Sequence, residues 1–150
     1  MLFLKKSLIT SILVLMLSSN LHSSPLDKIS DIFVDMSVKN FCKNEKDCKF
    51  DKICLSKNLK SKLNKWSKKD KKFKKNTELF IKFKSELEKS NLFSTYYKFA
   101  FNPKEDENGK KIIKFVDAFV ESNKLEREEQ QFLLFIVQGI VFDALGKCGM

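Results

Sequence analysis

Phe132-Leu133-Leu134-Phe135-Ile136-Val137-Gln138-Gly139-Ile140-Val141-Phe142-Asp143-Ala144-Leu145 is the stretch around which the rest of the chain must be arranged. Its first six residues are apolar on every side of a helix, and Ile140, Val141, Phe142 and Leu145 continue the run. A helix apolar all round belongs in the middle of a domain, covered by its neighbours. Ser122 is placed to cap it, and Glu126, Glu128 and Glu129 suit its positive N-terminal end. Gly146 is expected to stop it.

Working outward, the covering elements also read as helices. Ile112, Phe115, Val116, Phe119 and Val120 form one stripe at helical spacing, preceded by an acidic, exposed loop from Lys104 to Gly109. Leu79, Phe80, Phe83 and Leu87 form another, expected to begin at Thr77 and Glu78. Ser56 is the expected cap of a helix carrying Leu59, Leu63, Trp66 and Phe73 on a narrow face, with Asp70 interrupting it. Ser24-Pro25 opens a helix with Leu26, Ile29, Ile32, Phe33, Met36 and Phe41. Leu92 to Phe101 is ambiguous, because Leu92, Tyr96, Phe99 and Ala100 fit a helix while Tyr97, Phe99 and Phe101 alternate.

The expected fold is therefore all-α: a small single domain of five or six helices around a buried C-terminal helix, stabilised by disulfides. The alternative is an α+β fold with one hairpin near residues 93–117. Four Gly and two Pro in 150 residues exclude a linker protein or a turn-rich sandwich. No internal repeat is visible.

The first residues carry an address. Lys5 and Lys6 precede an apolar run from Leu8 to Leu17, followed by small and polar residues through Ser24. These are the three parts of a secretory signal peptide, and the run is shorter than the roughly 20 residues that span a bilayer. The expected division is a signal peptide over residues 1–23 and a single mature helical domain over residues 24–150, exported to a periplasm or secreted. The only His, His22, falls in the first part. A mature chain without imidazole has no His general base, triad or metal ligand.

Four cysteines in an exported chain read as two structural bridges. Cys42, Cys48, Cys54 and Cys148 lack the paired C-x2-C spacing of structural zinc sites. If residues 46–55 were helical, Cys48 and Cys54 would point apart, which favours Cys42–Cys48 with Cys54–Cys148. Cys42–Cys54 with Cys48–Cys148 remains open.

The chain has 29 basic and 19 acidic residues for a formal net charge of +10, and all but Arg127 of the basic ones are Lys. Arginine forks read phosphate and guanine, whereas lysine acts as a hydrated point charge, so no specific nucleic-acid partner is expected. Ten lysines fall within residues 57–75. Lys57, Lys60, Lys62, Lys65, Lys68, Lys69 and Lys72 could form a contact surface for an anionic membrane or polysaccharide. The plainer reading is an ordinary helix whose lysines sit in water. The aromatic residues between Phe80 and Phe101 read as core, with Tyr96 or Tyr97 reaching the surface.

No catalytic residue, cofactor or metal site is expected. A calcium loop around Asp106 to Gly109 fails, because Lys104 and Phe115 would stand where acidic ligands are needed. Glu86, Glu88, Glu126 and Glu129 lie on expected helix surfaces, and nucleophile elbows and phosphate loops are missing. The expected function is a non-enzymatic, exported protein-binding module of the inhibitor, immunity-factor or accessory-subunit kind. Its partner would be another exported protein; the alternative is an envelope or anionic-surface binder using the lysine-rich helix.

Overall fold

The computed structural model describes residues 24–150. The expected signal peptide, residues 1–23, lies outside the described residues. Ser24 accepts the Asp27 N–H at 3.2 Å and Pro25 takes the first position of α1, Pro25–Phe41. Ile29, Phe33 and Met36 make its fully buried stripe.

The chain then folds into a short antiparallel hairpin, β1 Cys42–Asn44 and β2 Asp47–Cys48. The Asn44 side chain accepts the N–H groups of Lys46 and Asp47, each at 2.9 Å, which shapes the turn. The Cys42–Cys48 disulfide closes the hairpin across a Cα separation of 4.4 Å. Cys54 is paired with Cys148. The favoured pairing is thus present for a different reason, since Asp47–Cys48 is a strand and the next helix begins only at Lys52.

Asp51, not Ser56, caps α2, Lys52–Lys69, accepting from the Ile53 and Cys54 N–H groups at 2.9 and 3.0 Å. The run of lysines is broken at Asp70 rather than at Thr77. Asp70 is extended, ends α2, and accepts the Lys72 N–H at 2.9 Å to cap α3, Lys71–Lys89. An acidic cap satisfies an orphan N–H and sits at the positive helix end, so it starts a new helix even among strong helix formers. Thr77 is buried inside α3, where its hydroxyl donates to the Lys74 carbonyl at 2.6 Å.

Residues 93–101 form α4, Phe93–Phe101, and α5 runs over Glu107–Ser122. The hairpin alternative near residues 93–117 is therefore overturned. The alternation of Tyr97, Phe99 and Phe101 arose from aromatic crowding, since Tyr96, Tyr97, Ala100 and Phe101 share a buried helical face. Both tyrosines are buried, against the expectation that one reaches the surface. The Lys104–Gly109 loop is also shorter than expected, because Asp106 caps α5 by accepting the Gly109 N–H at 2.8 Å. Glycine is required there: a β-carbon would run into the Lys104 carbonyl.

The C-terminal helix comprises α6 Arg127–Ile136, a π turn Val137–Val141, and α7 Phe142–Lys147, continuous with one another. Its cap is not Ser122, which ends α5, but a capping box in which the Glu126 N–H donates to Glu129 Oε2 at 2.8 Å. It runs past Gly146 and stops at Gly149, whose φ of 108° is a left-handed conformation. The Met150 N–H then returns to the Leu145 carbonyl at 3.1 Å, satisfying the helix end. Cys148 ties this end to the first turn of α2 over a separation of 94 residues.

The six helical axes make an all-α bundle. α1 packs on α2 and α3, α4 on α5, and the C-terminal helix touches α2, α3, α4 and α5. Leu133, Ile136, Val137, Ile140, Val141, Ala144 and Leu145 are its buried residues. Phe83 anchors the facing aromatic cluster, meeting Tyr96 and Phe119 edge-on at 5.2 Å each. Tyr96 is fully buried, its hydroxyl donates to the Leu133 carbonyl at 2.5 Å, and burial raises its pKa above the usual phenol range.

The expectation of a surrounded C-terminal helix needs correcting. Phe135 is 48% exposed and Phe142 38% exposed. The neighbours cover its two flanks and leave a side on which Gln131, Gln138, Gly139 and Asp143 also face water. Among the described residues, no helix is long and apolar enough to cross a membrane.

Candidate functional site

The elbow that Asp70 makes between α2 and α3 stands beside the uncovered side of the C-terminal helix. Two adjoining depressions result, and Trp66 lines both. The first is a cleft of about 280 Å³ between α2 and α7. Asn58, Ser61, Lys62, Lys65, Trp66 and Lys69 come from α2, at the three- and four-residue steps that put side chains on one helix face. Asp143, Ala144 and Lys147 face them from α7.

Electrostatically the cleft is cationic. Its four lysines meet one carboxylate, Asp143, which is already engaged by Lys62 and, at 3.4 Å, by Lys147. The hydrogen bond from Lys62 holds the Asp143 carboxyl below its ordinary range against an opposing desolvation, and the charges of Lys62 and Lys147 add to the lowering. Lys65 and Lys69 have no ion pair among the described residues. Asn58 holds the wall in place, donating to the Cys54 carbonyl at 3.0 Å and resting 3.4 and 3.5 Å from the sulfurs of Cys54 and Cys148.

The second depression is an apolar groove of about 360 Å³ between the elbow and α6. Trp66, Phe132, Phe135, Ile136, Gly139 and Ile140 make its apolar lining. Its rim holds Asp70, Lys72, Asn76, Glu128 and Gln131, with Lys72 and Glu128 paired at 3.5 Å. Trp66 is 42% exposed. It is held by edge contacts that run to Phe73 at 5.5 Å and from Phe73 to Phe132 at 5.8 Å. A wide aromatic ring is thus fixed from behind and bare in front.

No known protein family matches the chain, and no curated protein or solved structure does either.

The structure divides the seven lysines singled out from the sequence. Lys62, Lys65 and Lys69 line the cleft, and Lys72 stands across the Asp70 break on the groove rim. Lys57, Lys60 and Lys68 are exposed on the far flank of α2, away from both depressions. Helical phase explains the split: Lys62, Lys65 and Lys69 lie to one side of the buried stripe of Leu55, Leu59 and Leu63, whereas Lys57, Lys60 and Lys68 lie behind it and to the other side.

The carboxylates considered for acid–base chemistry have local work. Glu86 pairs with Lys89 at 3.2 Å, Glu88 with Lys84 at 2.6 Å, and Glu126 and Glu129 make the capping box. Among the described residues, no three or more His, Cys, Asp or Glu side chains gather closely enough to hold a metal ion. Sequence reading missed Phe135, Gly139, Asp143 and Lys147. Their signal was present: Gln131, Gln138, Gly139, Asp143 and Lys147 interrupt the apolar run on one side, as a partly solvated helix requires.

Proposed function

We propose that this chain is an exported, non-enzymatic protein-binding module, of the kind that serves as an inhibitor, immunity factor or accessory subunit. The observation that carries the reading is the pair of large aromatic side chains, Trp66 and Phe135, exposed together on the lining of one groove. Aromatic anchors surrounded by polar residues are the usual energetic centre of protein interfaces. Two disulfides fit a non-reducing environment, and Cys54–Cys148 ties α2 to the end of the C-terminal helix. Export itself rests on the N-terminal segment read from the sequence and on this disulfide chemistry together.

The test is affinity capture from the exported fraction with disulfide-intact protein, washed at low and at high salt. One stoichiometric protein surviving high salt is the expected result. Recovery of nothing in either wash rejects the module.

The exposed flank of Lys57, Lys60 and Lys68 favours a second reading, a binder of anionic membrane or polysaccharide surfaces. Each lysine close to such a surface contributes about 1 kcal/mol, screened by salt. That reading expects co-sedimentation with anionic but not neutral vesicles, abolished by K57E/K60E/K68E.

A further inference from the structure

We propose that the cleft and the groove joined at Trp66 form one docking site for an acidic, apolar-anchored segment of a partner protein. Its large apolar side chain lies in the Trp66–Phe135 groove, and its carboxylates lie over Lys62, Lys65, Lys69 and Lys147. This rests on the protein-binding reading above and specifies the partner's chemistry.

Three observations converge. The first is charge: the cleft's lysines exceed its carboxylates, and its single carboxylate, Asp143, is already held by two of them. Unneutralised positive charge beside an aromatic ring favours an anionic occupant and opposes a cationic one. A second copy of this chain is disfavoured on the same ground, because self-docking brings lysine clefts together.

The second is the shared wall. Trp66 borders both the cationic and the apolar part, so one short segment can satisfy both at once. Its ring is a rigid, amphipathic surface that loses little freedom on binding.

The third is Gly139. It lies within the π turn, and π turns recur at functional sites. A β-carbon there would meet nothing within 4 Å. The fold therefore gives no steric reason for glycine, although glycine weakens a helix. Its effect is to leave bare backbone lining the groove, where an incoming side chain can approach closely.

The experiment uses the exported chain with both disulfides intact and a displayed library of random peptides. Trp66 is the only tryptophan, so its emission reports occupancy directly. The expected result is enrichment of peptides that combine a large apolar residue with two or more Asp or Glu. Their binding should shift Trp66 emission and weaken at least tenfold in K62E/K65E/K69E. Gly139→Leu should weaken it similarly by filling the groove from open space, a variant that avoids the packing lost in Trp66→Ala. K57E/K60E/K68E should leave it within twofold.

Enrichment of basic or purely apolar peptides overturns the proposal, as does acidic-peptide binding insensitive to Gly139→Leu. Failure to enrich any peptide also overturns it. Phosphatidylglycerol vesicles are run alongside, and a Trp66 shift that they alone produce assigns the site to lipid and rejects a protein occupant. If the protein captured from the exported fraction stays bound to every variant, the segment fails and the module stands. If no protein is captured, the module itself fails.

Discussion

The two helices that line the candidate site differ sharply in composition, yet each leaves large apolar side chains exposed. α2 is rich in lysine, yet Leu55, Leu59 and Leu63 are wholly buried, its charges face water as charges usually do, and Ile53 and Trp66 are exposed among them. The C-terminal helix is apolar on nearly every side, yet it leaves Phe135 and Phe142 substantially exposed. Charge on a helix surface needs no explanation, whereas a large apolar side chain left bare beside a groove does. The more abundant feature of the sequence is therefore the less informative one. The site arises where the two helices meet, and neither contains it alone.

The link between these helices gives the largest expected effect. Cys54–Cys148 closes a loop about fifteen times longer than Cys42–Cys48, with separations of 94 and 6 residues. In the chain-entropy picture, removing the long bridge costs about 4 to 5 kcal/mol and removing the short one about 2 kcal/mol. Denaturant unfolding of C54S/C148S and C42S/C48S checks the order, and equal losses would contradict it.

The comparison itself is tested next by truncation. Leu59→Ala on the charged helix should cost about 3 kcal/mol, because it opens a cavity in the core. Phe135→Ala on the apolar helix should cost under about 1 kcal/mol, because half of that ring is already in water. Comparable losses in thermal unfolding would show that Phe135 is core after all.

Tyr96 sharpens the account of the inner side. Tyr96→Phe removes the hydroxyl that serves the Leu133 carbonyl and should cost about 1 to 2 kcal/mol. Its pKa is raised on folding, so its contribution is complete below the ordinary value of 10.0 and is lost as pH rises above it. The wild type should lose stability above that pH by an increment that Tyr96→Phe does not show, measured by unfolding at pH 9 and pH 11.

On the outer side, Gly139→Ala should raise stability by up to about 1 kcal/mol, since the added methyl meets open space. Destabilisation would mean that the π turn itself requires glycine. The smallest effect belongs to Asp143, whose pKa is lowered on folding. Its contribution is present above the ordinary value of 3.8 and fades as pH falls below it. Asp143→Asn should flatten this acid limb slightly, and an unchanged limb would mean that the Lys62 contact contributes nothing in solution.

Much of the fold was legible in the sequence because helical periodicity is local. The stripes of α1, α3 and α5 and the Ser24-Pro25 start could be read from spacing alone, whereas spacing left two cysteine pairings open. Boundaries were less so, because caps compete. Asp51 outdid Ser56, Asp70 outdid Thr77, and the Glu126–Glu129 box displaced Ser122. Aromatic crowding in residues 93–101 also imitated a strand, since runs of Tyr and Phe satisfy either period. The candidate site was legible only in halves. Trp66, Lys62, Lys65 and Lys69 could be found on α2, but Phe135 lay in a run whose covered and bare sides depend on where the other helices land.

The central claim is that binding occurs where the two helices meet and not on the outward lysines. Lysine acetylation footprinting of the captured complex against free protein tests it most directly. The account predicts that Lys62, Lys65, Lys69 and Lys147 become protected while Lys57, Lys60 and Lys68 keep their reactivity. Protection of Lys57, Lys60 and Lys68, with the cleft lysines unchanged, would contradict it.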